Sequence, residues 1–294
     1  MKISFSIALS ALFLSASSPA QEPVPALTFE TPIAASDAFI EATKNGETPA
    51  LLEIFGDQYK DLIGTAEAER DRELRAKVAA MAVERRRFRF DDENTVTMVI
   101  GAEAWPFPIP IVKVGETWQF DTGKGIQEIV NRRVGENELS AMASMRAYFD
   151  AQTTYITESR DDSGVRKYAA KFTSAPGKMD GLHWPAVSGD NVPSPAGPEI
   201  KDAATPHDGY HFKILTAQGD AAPGGKYDYL INGHLIGGFA MIAWPAEYRK
   251  TGVMTFIVNH YGDVYEADLG PETSKLATSV TEYNPDNTWE LSED

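Results

Sequence analysis

The residues able to do chemistry gather in one turn-rich tract, Ser174 to Pro206, which carries Ser174, Asp180, His183, Trp184 and Ser194. A long irregular stretch inside a domain is usually functional or a wrapped surface loop. Ser174 or Ser194 as nucleophile, His183 as base and Asp180 as orienter would make a hydrolase. That chemistry needs the groups within about 2.6–3.2 Å of one another, and no Gly-x-Ser-x-Gly elbow marks the chain. Asp180 beside Trp184 also suggests an acid held next to a sugar-stacking wall, since an apolar neighbour raises a carboxyl pKa. Both serines also fit ordinary turn chemistry, and Asp180 fits a solvated turn.

The histidines are His183, His207, His211, His234 and His260. His207 and His211 lead into an extended segment, where residues four apart lie about 13 Å from each other, too far to share an ion. No metal site is expected, and no cofactor. Pro223-Gly224-Gly225-Lys226 lacks the strand-to-helix setting and Ser/Thr partner of a phosphate loop. Trp184, Trp244 and Tyr210 are the aromatic candidates for binding, read as exposed rings.

Local patterns define the elements that position these groups. The segment Gly135 to Ile156 places Met142, Met145, Phe149 and Ile156 in one helical stripe, with Leu139 at its edge and Tyr148 and Tyr155 on its flank. Asn137 would cap this helix, and Glu136 and Glu138 suit its positive end. From Gly209 the period changes to two. Asn232-Gly233 marks a tight hairpin, and another turns around Tyr261-Gly262. The helix is therefore expected to lie across one face of an antiparallel meander.

Before it, helices are expected from Thr31-Pro32 or Ser36 to Thr43, from Thr48 to Phe55, and from about Ala66 to Arg86. Arg85, Arg86, Arg87 and Arg89 would then form the last helix's terminus or an anion patch, with Glu84, Asp91, Asp92 and Glu93 nearby to neutralise it. Strands follow at Thr95–Ile100, Trp105–Val112 and Thr117–Asp121. Pro106, Pro108 and Pro110 remove alternate N–H groups and predict an outer strand, while Trp105, Phe107, Ile109 and Ile111 face the helices.

Lys2, an apolar run to Leu14 and Ser18-Pro19-Ala20 read as a signal peptide over residues 1–20, cleaved before Gln21. The run is shorter than the roughly 20 residues of a membrane span. Residues 21–134 and 135–294 would form two α+β domains of a periplasmic or secreted protein. Cysteine is absent, which excludes disulfides, thiolate metal sites and a lipidated cysteine. The formal charge of −16 becomes one unit more negative without Lys2 and argues against nucleic acid or an anionic membrane as partner.

Trp105-Pro106-Phe107-Pro108-Ile109-Pro110, Arg132-Arg133-Val134-Gly135-Glu136-Asn137-Glu138-Leu139, Asp180-Gly181-Leu182-His183-Trp184-Pro185, Ala221-Ala222-Pro223-Gly224-Gly225 and Gly252-Val253-Met254-Thr255-Phe256-Ile257-Val258-Asn259 together resemble the bacterial exported family called domain of unknown function 2950 (DUF2950). The resemblance spans nearly all the mature chain and implies no activity. Residues 21–134, helices followed by a sheet whose closing strand is Gly115-Glu116-Thr117-Trp118-Gln119-Phe120-Asp121, loosely resemble nuclear transport factor 2 (NTF2) relatives. Asn137 to Arg146 with Gly209-Tyr210 and Gly252 to Tyr265 resembles the globular part of pilin-like proteins, without their fibre-forming apolar half-helix. These readings converge on a non-catalytic binding or assembly module with an envelope protein as partner; the alternative is a hydrolase with its site in the 174–206 tract.

Overall fold

Thr31 and Pro32 start the first helix for separable reasons. The Thr31 hydroxyl accepts from the Ala34 N–H at 3.1 Å, and Pro32 occupies a position whose N–H has no helical partner. In this computed structural model, which describes residues 25–46, 48–60, 68–160, 163–184, 193–196 and 205–292, that helix is α1, Pro32–Asn45. Gly46 ends it at φ 67°, in the left-handed region. Helices α2 (Thr48–Phe55) and α3 (Ala68–Glu84) follow. The expected signal peptide lies outside the described residues. The described chain divides into two compact units that meet at Ile126/Gln127.

In the first unit, β1 (Arg86–Asp92), β2 (Thr95–Ile100), β4 (Ile111–Val114) and β5 (Thr117–Phe120) lie in that order, and β3 (Trp105–Pro106) also pairs with β2. The arginine run is therefore not a helix terminus. Helix α3 stops at Glu84, and residues 86–92 form β1, which pairs with β2; Arg87 and Arg89 lie opposite Phe88 and Phe90, while Arg86 shares the Phe88 face. Arg86 binds Asp37 at 2.6 Å and Arg89 binds Asp91 at 2.7 Å, while Arg85 donates to the Ala102 carbonyl.

The proline segment also departs from expectation. It breaks after Pro106 and resumes as β4, which sits between β2 and β5 rather than at an outer edge. Prolines without N–H groups cannot sustain a ladder through residues 106–110. The face was nevertheless legible: Phe107, Ile109 and Ile111 are buried with Phe39, Ile40, Leu51, Ile54, Phe55 and Phe120, and Phe39 stacks near Phe107 at 4.8 Å.

The long helix α4 spans Thr122–Tyr155, beginning well before the expected Gly135. Asp121 caps it, accepting from the Lys124 N–H at 3.0 Å. Gly125 allows close approach, because a Cβ there would fall 2.5 Å from Ile109. Asn137 and Glu138 are thus mid-helix and serve another purpose. The Asn137 amide donates to the Thr251 carbonyl, and Glu138 accepts from the Val253 and Met254 N–H groups at 2.8 and 3.0 Å.

The buried face of α4 is rotated from the expected stripe toward its tyrosine flank. Met145 is buried as expected, with Ala141, Tyr148, Gln152 and Tyr155; Met142 and Phe149 are only partly buried and Leu139 is 65 % exposed. Polar partners account for the rotation. Tyr148 donates to the Ala240 carbonyl, and Gln152 closes on both main-chain groups of Ala169.

The receiving sheet runs β14 (Glu290–Leu291), β13 (Val264–Ala267), β12 (Thr255–Asn259), β11 (Ala240–Pro245), β6 (Tyr210–Leu215), all antiparallel. Every residue of β11 and β12 is buried, so this sheet is covered on both sides rather than one. Helix α5 (Thr273–Ser279) packs against β11, and Lys213 donates to the α5 carbonyl of Thr278 at 2.7 Å. Smaller pairs complete the unit: β7 (Ala217–Gln218) with β8 (Tyr227–Asp228), and β9 (Leu230–Ile231) with β10 (His234–Leu235) across Asn232-Gly233, both at positive φ. Among the described residues no helix is long and apolar enough to cross a membrane.

Candidate functional site

Of the 174–206 tract, residues 185–192 and 197–204 lie outside the described residues; the groups singled out in the rest make local contacts. The Ser174 hydroxyl, itself buried, accepts from the Gly181 N–H at 2.9 Å and faces the Gly181 carbonyl at 3.3 Å. Asp180 takes Lys171 on one oxygen at 2.6 Å and the Ala175 N–H on the other at 2.8 Å. Its carboxyl is held below the usual range chiefly by the Lys171 hydrogen bond, so it is an ionised tether and not a proton donor.

His183 does meet a serine, but it is Ser194. Its Nδ1 lies 3.3 Å from Ser194 Oγ and 3.2 Å from the Ala196 carbonyl, while Ser194 itself donates to that carbonyl at 2.8 Å. With its proton already spent on Ala196, the Ser194 hydroxyl is not being drawn off by the imidazole. Ser174, Asp180 and His183 therefore form no hydrogen-bonded relay with one another; each closes a local loop.

The aromatic candidates are interior. Trp184 is only 4 % exposed and has the Arg160 guanidinium over its ring at 5.6 Å. Trp244 stacks on His211 at 5.5 Å, and Tyr210 is fully buried with its hydroxyl donating to the Met254 carbonyl. Their expected exposure is corrected, because each ring fills space between strands or loops that their turn-like context did not reveal. His207 faces Asp208 at 3.6 Å, in the turn that leads into β6. Among the described residues no cluster of histidine and carboxylate groups is arranged for a metal.

A different group converges where β8, the β9–β10 hairpin and the end of β12 meet. Gln218, fully buried, donates to the Pro223 and Gly225 carbonyls at 2.7 Å each and accepts from Tyr229 at 2.8 Å. The Pro-Gly-Gly turn is thus pinned beneath Tyr229. Tyr227 stands edge-on to Tyr229 at 5.4 Å, and Tyr229 stands edge-on to His260 at the same distance. His260 lies 4.5 Å from the Tyr261 ring, with Nε2 3.4 Å from the Tyr227 hydroxyl. A side chain on Gly238 would collide with His260 and Tyr229, so glycine admits the imidazole here.

Burial pushes the His260 pKa down, partly offset by the Phe239 backbone, and burial pushes those of Tyr227 and Tyr229 up. His260 Nδ1 and Asn259 Nδ2 make no hydrogen bond of good geometry, although the Asn259 amide lies near enough to Tyr229 to temper that phenol. Tyr261 is 55 % exposed, and the adjoining hairpin exposes Leu230, Ile231 and Ile236. A weakly basic imidazole and phenols, with exposed aliphatic groups on the hairpin that follows Tyr229, can recognise an apolar or aromatic surface. Tyr227-Asp228-Tyr229 and His260-Tyr261, each beside a glycine turn, were the available sequence signals.

A family model described as "Protein of unknown function (DUF2950)" matches residues 26–291. No curated protein matches, and no solved structure matches.

Proposed function

We propose that this chain, which belongs to the DUF2950 family of unknown function, acts as a non-catalytic binding or assembly module of the cell envelope. The observation that carries the reading is the ring group of Tyr227, His260 and the exposed Tyr261, together with the exposed Leu230, Ile231 and Ile236 of the hairpin that follows Tyr229. Its composition is that of a protein interface core, aromatic and aliphatic with few charges. The partner is accordingly an envelope protein rather than nucleic acid. Export would leave a mature N-terminus at Gln21, which intact-mass measurement of the secreted or periplasmic protein reads directly.

Affinity capture from envelope extracts, run in parallel with wild type and a Tyr261→Ser/Ile231→Ser variant, tests the proposal. A discrete partner retained by wild type and lost by the variant supports it. Identical profiles remove this face from consideration.

A further inference from the structure

In the same unit, the chain after α5 and one residue of β12 line a cleft of about 290 Å³. It is lined by the apolar Ile257, Val280 and Trp289 and by the polar Ser279, Thr281, Glu282 and Asn284. The volume falls at the small end of ligand pockets, about 300 Å³, which suits one six-membered sugar ring.

The polar groups specify what kind of molecule fits. Glu282 is the charged group of the lining, and Lys226 already neutralises it at 3.2 Å. A net charge on the ligand would find no counter-charge, so the ligand is neutral. Asn284 gives its oxygen to the Ala221 N–H at 2.8 Å, which leaves its amide protons as donors. Ser279 donates to Leu276 and retains lone pairs as acceptors. Donor amide, acceptor carboxylate and hydroxyls around one aromatic wall match the alternating hydroxyls and C–H face of a sugar.

The wall is built in advance. Asp286 accepts from the Thr288 N–H and hydroxyl at 2.9 and 2.6 Å, and its carbonyl accepts from the Trp289 N–H, so the turn that carries Trp289 is ordered. The tail below it is stitched by Gly219 N–H to the Tyr283 carbonyl and Tyr283 N–H to the Ala217 carbonyl, both at 2.9 Å. On β12, Thr255 and Asn259 share the strand face of Ile257, and their Oγ1 and Nδ2 are buried without a well-formed hydrogen bond. We propose that the cleft bounded by Trp289, Glu282 and Asn284 is a binding site for a single neutral sugar ring. This inference stands apart from the Tyr261 face.

The test is calorimetric titration and ligand-observed NMR of the full chain with glucose, galactose and N-acetylglucosamine, with inorganic phosphate as the charged control. At least one sugar should bind with a dissociation constant on the order of a millimolar, as expected for so few atoms, and phosphate should not. Trp289→Ala should weaken binding about tenfold or more by removing the stacking wall. Glu282→Gln, which preserves shape, should weaken it severalfold and keeps the test valid if the tryptophan variant is misfolded. Tyr261→Ser should bind sugar as wild type does. No binding of any of the sugars, or unchanged binding in both cleft variants, overturns the proposal, as does loss of sugar binding in Tyr261→Ser.

Discussion

Replacing Gln152 by leucine removes one side chain and strands several partners. Gln152 is fully buried on α4; its Nε2 donates to the Ala169 carbonyl at 2.8 Å and lies 3.0 Å from the Tyr148 hydroxyl, while its Oε1 accepts from the Ala169 N–H at 2.8 Å. Leucine keeps the volume, so cavity formation contributes little. Each buried amide group left unpaired costs about 1–3 kcal/mol, so the stranded Ala169 N–H and C=O together cost about 2–6 kcal/mol. The apolar side chain returns about 1–2 kcal/mol. The expected net loss is about 3 kcal/mol, a large part of the roughly 5–15 kcal/mol that holds a domain together. Urea unfolding should show a midpoint lower by about 1 M or more, and hydrogen exchange at the Ala169 amide should accelerate together with it. A midpoint within about 0.2 M of wild type with Ala169 still protected would refute the idea that Gln152 clamps residues 167–172 onto the helix.

Gly252→Ala should destabilise the second unit by about 2–4 kcal/mol, measured by the same denaturant titration, because a Cβ there would run into the buried Tyr210 hydroxyl that donates to Met254. His260 has its folded pKa lowered, so below about pH 6.5 the unfolded chain takes up its proton first and stability falls as pH falls through that window. His260→Phe should flatten this dependence in melts between pH 7 and 5; an unchanged slope would show that the imidazole is not desolvated. Asp180 has its folded pKa lowered, so its contribution is present above about pH 4 and is lost as pH falls through the folded value. Asp180→Asn should remove that acid-side dependence and, for a pair with Lys171 largely open to water, cost only about 1 kcal/mol by thermal melt at pH 7.

Ends of elements were legible where single residues dictate backbone geometry. Thr31-Pro32 and Gly46 bound α1, Gly56 follows α2, and Asn232-Gly233 closes its hairpin. Elements were misjudged where a residue's local meaning is overridden by contact at a distance. Gly135, where the long helix was expected to begin, lies inside α4, which starts at Thr122; Arg85 to Arg89 resemble a helix end, whereas residues 86–89 lie along β1 and Arg86 turns to Asp37. The catalytic candidates were close in sequence, yet Ser174, Asp180 and Ser194 found their partners in nearby main chain or in Lys171. The Tyr227–Tyr229–His260 group was hidden for the opposite reason. Its members come from separate hairpins, and only the pairing of β11 with β12 and the turn pinned by Gln218 bring them together.

The binding role rests on the Tyr261 face, and site-specific photo-crosslinking in living cells addresses it most directly. A photoreactive residue at position 261 should trap a discrete envelope protein, while the same group at position 139, 65 % exposed on α4, should not. Equal trapping from both positions, or none from position 261, would contradict the account.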